Sequence, residues 1–154
     1  MKRLSYSILL VLLVVSFVVP AAAQVNGTFL GNGKNAKLTY LNARPDKVST
    51  GEEIVLLTFT EKDPGNDKKP DDKAAFGDYG NALVVRILKS GEIYGSEVRH
   101  SALSVQSFTS IGTLQVEGFK WDAAGVSGKL STKGSAKFFK DTWEVNLDFK
   151  APLS

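Results

Sequence analysis

The sequence predicts an all-β fold: a single-domain antiparallel β-sandwich, with a small closed β-barrel as the alternative. Three observations carry this. The closing stretch from Asp141 to Lys150 alternates, with Trp143, Val145, Leu147 and Phe149 on one face and Thr142, Glu144, Asn146, Asp148 and Lys150 on the other. A period of two with one apolar face is a strand half buried and half in water. Several other short apolar segments are separated by Gly, Asn and Asp turn signals. No amphipathic helical period is evident after the N-terminal segment.

That N-terminal segment reads as a secretory signal peptide, residues 1–23. Lys2 and Arg3 form a positive start, Ile8 to Val19 is apolar apart from Ser16, and Ala21-Ala22-Ala23 follows Pro20. The apolar run is short against the roughly 20 residues of a spanning helix. Cleavage after Ala23 removes 23 of 154 residues and leaves 131, Gln24 to Ser154. That length suits one β domain, 24–154, with its own core. No cysteine follows the cleavage site to carry a lipid, so no stable membrane anchor is expected after cleavage.

The formal charge of the whole chain is +3, from 19 basic and 16 acidic residues. Without Lys2 and Arg3 the balance is 17 to 16, a charge of +1. A nearly neutral domain gives no reason to expect a nucleic-acid partner. With no cysteine, neither a disulfide framework nor thiol chemistry is available, and stability must come from burial and sheet hydrogen bonds. The Ala-Ala-Ala-Gln junction suits a bacterial periplasmic or secreted product. Asn26-Gly27-Thr28 is formally a glycosylation acceptor, of consequence only in a eukaryotic secretory pathway.

Val25 to Leu30 reads as a first strand, and Asn32-Gly33 as a two-residue hairpin turn. The return strand is expected over Ala36 to Asn42, ended by Arg44-Pro45-Asp46-Lys47. Glu53 to Thr60 contains Ile54-Val55-Leu56-Leu57 without alternation, which predicts a central strand buried on both faces. Glu61 to Gly80 is expected to be one long irregular, mobile loop with Phe76 and Tyr79 as its only large anchors. Ala82 to Leu88 and Glu92 to His100 are expected to form a hairpin across Lys89-Ser90-Gly91. Leu103 to Phe108 reads as a short strand or a connection, and Ser107 to Gly112 as a turn. In Thr113 to Trp121 the apolar phase changes around Gly118, which predicts a β-bulge there. Val126 to Thr132 pairs back, and turns near Lys133-Gly134 or Lys140-Asp141 lead to the last strand.

Gly31-Asn32-Gly33-Lys34-Asn35-Ala36 matches a G-x-G-x-x-A dinucleotide fingerprint on paper, but the chain continues as strand, not as the helix whose amides hold pyrophosphate. The 61–80 loop carries Asp63, Asn66, Asp67, Asp71, Asp72 and Asp78, interleaved with Lys62, Lys68, Lys69 and Lys73. The calcium-loop spacing is absent and the lysines cancel the field a cation needs, so no metal site is expected. His100 is the only histidine; Ser101, Ser104 and Ser107 lie near it, but no G-x-S-x-G elbow exists. Tyr94 and His100 share a face if their strand is unbroken. Glu92 and Glu97 face opposite sides and make a poor acid–base pair, and Glu144 and Asp148 lie on a polar strand face.

Gly27 to Lys34, Thr58 to Asp63 and Thr142 to Leu153 together resemble small exported bacterial all-β proteins of unassigned function, in which a glycine-containing hairpin opens the domain and a (Trp or Tyr)-Glu-Val-Asp-Leu-x-Phe-x-Ala-Pro strand closes it. The resemblance implies one β domain. Its motifs are turns and strands, and it implies no catalytic residue and no cofactor.

The expected function is an exported, non-catalytic binding or interaction module for an unknown protein or small-molecule ligand. Its recognition residues are expected among Asp63, Asp67, Asp71, Asp72, Phe76 and Tyr79, where a long loop meets a rigid sheet, with Tyr94 and His100 at a strand end. The alternatives are a small barrel holding an apolar ligand and a hydrolase using His100 with carboxylates.

Overall fold

The computed structural model describes residues 15–17 and 21–154. The signal-peptide reading of residues 1–23 falls mostly outside them. Among the described residues, eleven strands and one helix follow in order: β1 (Gln24–Gly31), β2 (Lys34–Asn35), β3 (Tyr40–Lys47), β4 (Glu53–Thr60), α1 (Pro70–Phe76), β5 (Ala82–Leu88), β6 (Ile93–Arg99), β7 (Ser107–Ser110), β8 (Gln115–Asp122), β9 (Gly125–Ser131), β10 (Ala136–Phe138) and β11 (Asp141–Ala151). They form two antiparallel sheets. One runs β2-β1-β11-β9-β8 with β10 also paired to β11; the other runs β3-β4-β5-β6-β7. The sheets stay open and do not close into a barrel, so the sandwich is the fold.

β11 is the centre of the first sheet. It pairs with β1 from Trp143 to Lys150 on one side, and with β10 and β9 on the other. Trp143, Val145, Leu147, Phe149 and Ala151 are all buried and meet Val55, Leu57, Phe59, Leu83, Val85 and Ile87 of the second sheet in one core. The Phe59 and Phe149 rings meet edge-on at 5.9 Å, a geometry that aromatic quadrupoles favour.

β4 is buried along nearly its whole length, as its unbroken apolar run predicts. The cause is asymmetric. Its inner face packs on the first sheet, while the outer-face residue Leu56, with Ala82 and Val84 of β5, is covered by Ala74 of α1 and by Tyr79. The second sheet therefore carries a helix that the sequence reading did not anticipate. Pro70 sits at its first turn with Asp71 and Asp72, and Gly77 closes it with φ 88°. Proline preset for the first turn and glycine in the left-handed C-terminal position are a start and a stop for a helix, not two loop breakers. Seven residues are too few for a periodic signal to emerge.

Three further expectations change. The return from the Asn32-Gly33 turn is only two residues long; residues 36–39 cross between sheets, and β3 continues through Pro45 to Lys47. β3 is an edge strand, where a residue without an N–H is tolerated. Ser107 to Ser110 is a strand, β7, not a turn. The bulge in β8 is where the phase change places it: pairing with β9 slips between Glu117 and Lys120, and Gly118 has φ 59°. The chain end returns to the other sheet, where Ser154 N–H donates to the Ala43 carbonyl at 2.9 Å.

Candidate functional site

The 61–80 segment is not irregular throughout: it contains α1 and is tied down at both ends. Glu61 N–H donates to the Asn81 carbonyl and Lys62 N–H to that of Tyr79, so its two ends are zipped together. Asp71 is buried and pairs with the Arg44 guanidinium at 3.1 Å, holding α1 onto β3. The Tyr79 hydroxyl donates to Asp67 at 2.6 Å, and Lys73 lies 3.3 Å from the same carboxylate. Tyr79, the neighbouring Lys69 N–H and Lys73 together hold the Asp67 carboxyl below its usual range, the tyrosine contributing most.

The expected recognition residues therefore separate. Asp71 and Asp67 are occupied by internal partners. Asp63 accepts the N–H of Gly65 in its own turn, and Asp72 is exposed. Tyr79 is a packing anchor as expected, but Phe76 is 79% exposed and anchors nothing. It sits on the face of α1 opposite Ala74, so the ring points away from the sheet. No group of three or more His, Asp or Glu side chains placed to hold a metal occurs among the described residues.

Tyr94 and His100 do not share a face. β5 pairs Arg86 with Gly95 and then Ile87 with Ile93, so Tyr94 is the extra residue of a bulge. The bulge turns Tyr94 outward, 48% exposed, while His100 lies inside, 2% exposed. The His100 ring meets Phe29 edge-on at 4.9 Å. Its Nδ1 accepts the Ala102 N–H at 3.1 Å, and Nε2 has no hydrogen-bond partner. Burial holds the ring below its ordinary pKa, opposed by the carbonyls of Phe29 and Lys34 and by the charge of Glu61. Among the described residues no serine hydroxyl bonds it, so the geometry of a base activating a nucleophile is not present among them. Of the carboxylates considered for acid–base work, Glu97 pairs with Arg86 at 3.1 Å.

A buried polar network escaped the sequence reading. Asp141 continues the inward phase of Trp143 and is buried. Its carboxylate accepts the Asn32 amide at 2.9 Å, the Ser104 N–H at 2.8 Å and the Ser104 hydroxyl at 3.1 Å. Asn32 reciprocates by accepting the Thr142 N–H at 3.0 Å. These bonds hold the Asp141 carboxyl below the usual carboxylate range, with the Asn32 bond the largest cause. The signal was legible: a charged residue in phase with the apolar face of the closing strand. The network staples the first hairpin and the 101–106 connection to β11.

Beside that staple, the zipped ends of the 61–80 segment and the 99–106 segment enclose a cleft of about 210 Å³. Its polar lining is Glu61, Lys62, Asn81, Arg99, Ser101 and Gln106. Asn81 organises it: its N–H donates to Glu61 at 2.8 Å and its side-chain carbonyl accepts the Ser101 N–H at 2.6 Å. Arg99 has no carboxylate within ion-pairing distance among the described residues. A wider hollow of about 410 Å³ lies on the open polar face of the first sheet, between Asn26, Glu117, Lys129 and Asp148. There the register sets Lys129 directly between Glu117 and Asp148, so opposite charges already neighbour one another. Set beside protein-family models, curated proteins and solved structures, the chain matches none of them.

Proposed function

We propose that the protein is an exported, non-catalytic binding module whose ligand sits in the cleft between the 61–80 segment and the end of β6. The observation that carries this reading is Arg99: a guanidinium lining a concave site without a carboxylate in ion-pairing distance among the described residues, beside Lys62 and a Glu61 carboxylate held on one oxygen by the Asn81 N–H. Recognition at a rigid strand end flanked by tied loops is a common placement for such sites. The open sheets give no closed wall for an interior apolar ligand. The burial of His100 speaks against its use as a general base.

The test is a melting screen of wild type and Arg99→Gln against amino acids, small carboxylates, sugars and nucleotides. A solute that raises the Tm of wild type and not of the variant is expected. A panel with no Arg99-dependent shift overturns the reading. Ester or amide turnover abolished in folded His100→Gln replaces it with the hydrolase. N-terminal sequencing of exported material is expected to begin at Gln24.

A further inference from the structure

The cleft carries both signs of charge, Glu61 beside Arg99 and Lys62. Glu61 and Arg99 line the same small space and form no ion pair with each other. Opposite charges free to meet in a cleft normally close on one another, because their attraction strengthens as water is excluded. Here each is braced separately by one turn. Gly80 N–H donates to the Gly77 carbonyl at 3.1 Å, so the two glycines are the ends of that turn. The Arg99 guanidinium lies against Gly77, where a β-carbon would collide with it. The Glu61 carboxylate lies against Gly80, where a β-carbon would come within 2.6 Å of Oε2. Both glycines have positive φ, 88° and 78°, so the turn conformation and the missing side chains serve the same end. Glu61 is fixed further by the Asn81 N–H on Oε2.

We propose that this cleft binds a small zwitterion, an α-amino acid or a compound carrying a carboxylate and an ammonium a few atoms apart. This rests on the cleft being the binding site. Arg99 takes the carboxylate, for which the planar guanidinium offers paired donors. Glu61, with one oxygen held by Asn81, offers the other to the ammonium. Ser101 and Gln106 supply neutral hydrogen-bonding groups at the rim. The volume, about 210 Å³, lies below the roughly 300–1,000 Å³ of pockets for larger ligands and limits the ligand to a small one. A simple anion would leave Glu61 facing it, and a simple cation would leave Arg99 and Lys62 facing it; a ligand with both charges meets both signs of the lining.

The experiment is a titration of the full mature domain with alanine, acetate and methylammonium. Amide shifts around Asn81 and Arg99 are followed by NMR, and affinities are measured by calorimetry. Alanine is expected to saturate the cleft and to bind about tenfold or more tighter than acetate or methylammonium. Arg99→Gln is expected to abolish alanine and acetate binding. Glu61→Gln keeps an oxygen for the Asn81 N–H and is expected to weaken alanine about tenfold while leaving acetate unchanged or improved. Both variants must keep the wild-type melting cooperativity. Acetate binding as tightly as alanine, or alanine binding unaffected by Glu61→Gln, overturns the zwitterion and leaves the cleft as an anion site. Silence of all three probes, with another solute from the melting screen acting through Arg99, also overturns the zwitterion while the binding module stands.

Discussion

The His100 ring occupies the space a side chain on Gly31 would need: a β-carbon there would lie 2.5 Å from Nδ1. The last residue of β1 and the residue just after β6 thus define each other, one by having no side chain and the other by filling the gap. Gly31→Ala is expected to cost about 1–3 kcal/mol by overpacking. In a His100→Ala background the same change is expected to be close to neutral. Urea melts of the two single variants and the double variant measure the coupling; additive costs would separate the two residues.

On β11, Trp143→Ala and Phe149→Ala are expected to cost about 3–5 kcal/mol, and Glu144→Ala and Lys150→Ala about 0.5 kcal/mol or less. Trp143 and Phe149 are buried between the sheets, while Lys150 points to water and Glu144 is only partly covered. Equal losses on both faces in denaturant melts would contradict the sandwich packing.

Two groups set the acid side of the stability curve in different windows. His100 is held below its ordinary value near 6.5 by burial, so the unfolded ring takes up a proton at higher pH than the folded ring. Its contribution is complete above about pH 6.5 and is lost as pH falls from there through the folded value. Asp141 is held below its ordinary value near 3.9, chiefly by Asn32, so its contribution is complete above about pH 4 and is lost as pH falls through the folded value. His100→Gln is expected to flatten the upper limb and Asp141→Asn the lower one, in urea melts from pH 3 to 8. An upper limb unchanged in His100→Gln would mean that burial does not keep the ring neutral.

Asp71 joins α1 to Arg44 of β3, and Arg44 Nε is already buried without a partner. Asp71→Ala is expected to release α1 without unfolding the sheets. A loss of about 1.4 kcal/mol of local stability raises amide exchange in the segment about tenfold. Trypsin cleavage after Lys68 and Lys73 is expected to be slow in wild type and fast in the variant. Fast cleavage in wild type would restore the mobile loop.

Phe139 holds φ 54° at the first of the two turn positions between β10 and β11, and Lys140 does not share the positive φ. That sign pattern belongs to the hairpin turn whose first central residue is ordinarily glycine. The ring is 82% exposed and touches Phe138 edge-on at 4.8 Å. Phe139→Gly is expected to raise stability by about 0.5–1 kcal/mol, because little burial is lost and an unfavourable backbone is relieved. A lower melting midpoint would show that the edge contact outweighs the strain.

Pattern and turn chemistry are local, and the features that depend on them are legible in a few consecutive residues. The alternation of β11, the Asn32-Gly33 turn, the bulge at Gly118 and the double burial of β4 follow from side-chain period and backbone permissiveness over a few residues. Tertiary structure decided the rest because the deciding partner is distant in the chain. α1 exists because Leu56, Ala82 and Val84 offer an apolar surface to Ala74, and Asp71 finds Arg44 across 27 residues. Asp141 is tolerated inside because Asn32 and Ser104, 109 and 37 residues away, satisfy its carboxylate. Tyr94 and His100 parted because one bulge shifts the pleat, a change that inverts every side chain beyond it. The cleft needed all of this at once: Glu61, Asn81, Arg99 and Gln106 come from four separate stretches, and only the pairing of β4, β5 and β6 sets them around one space.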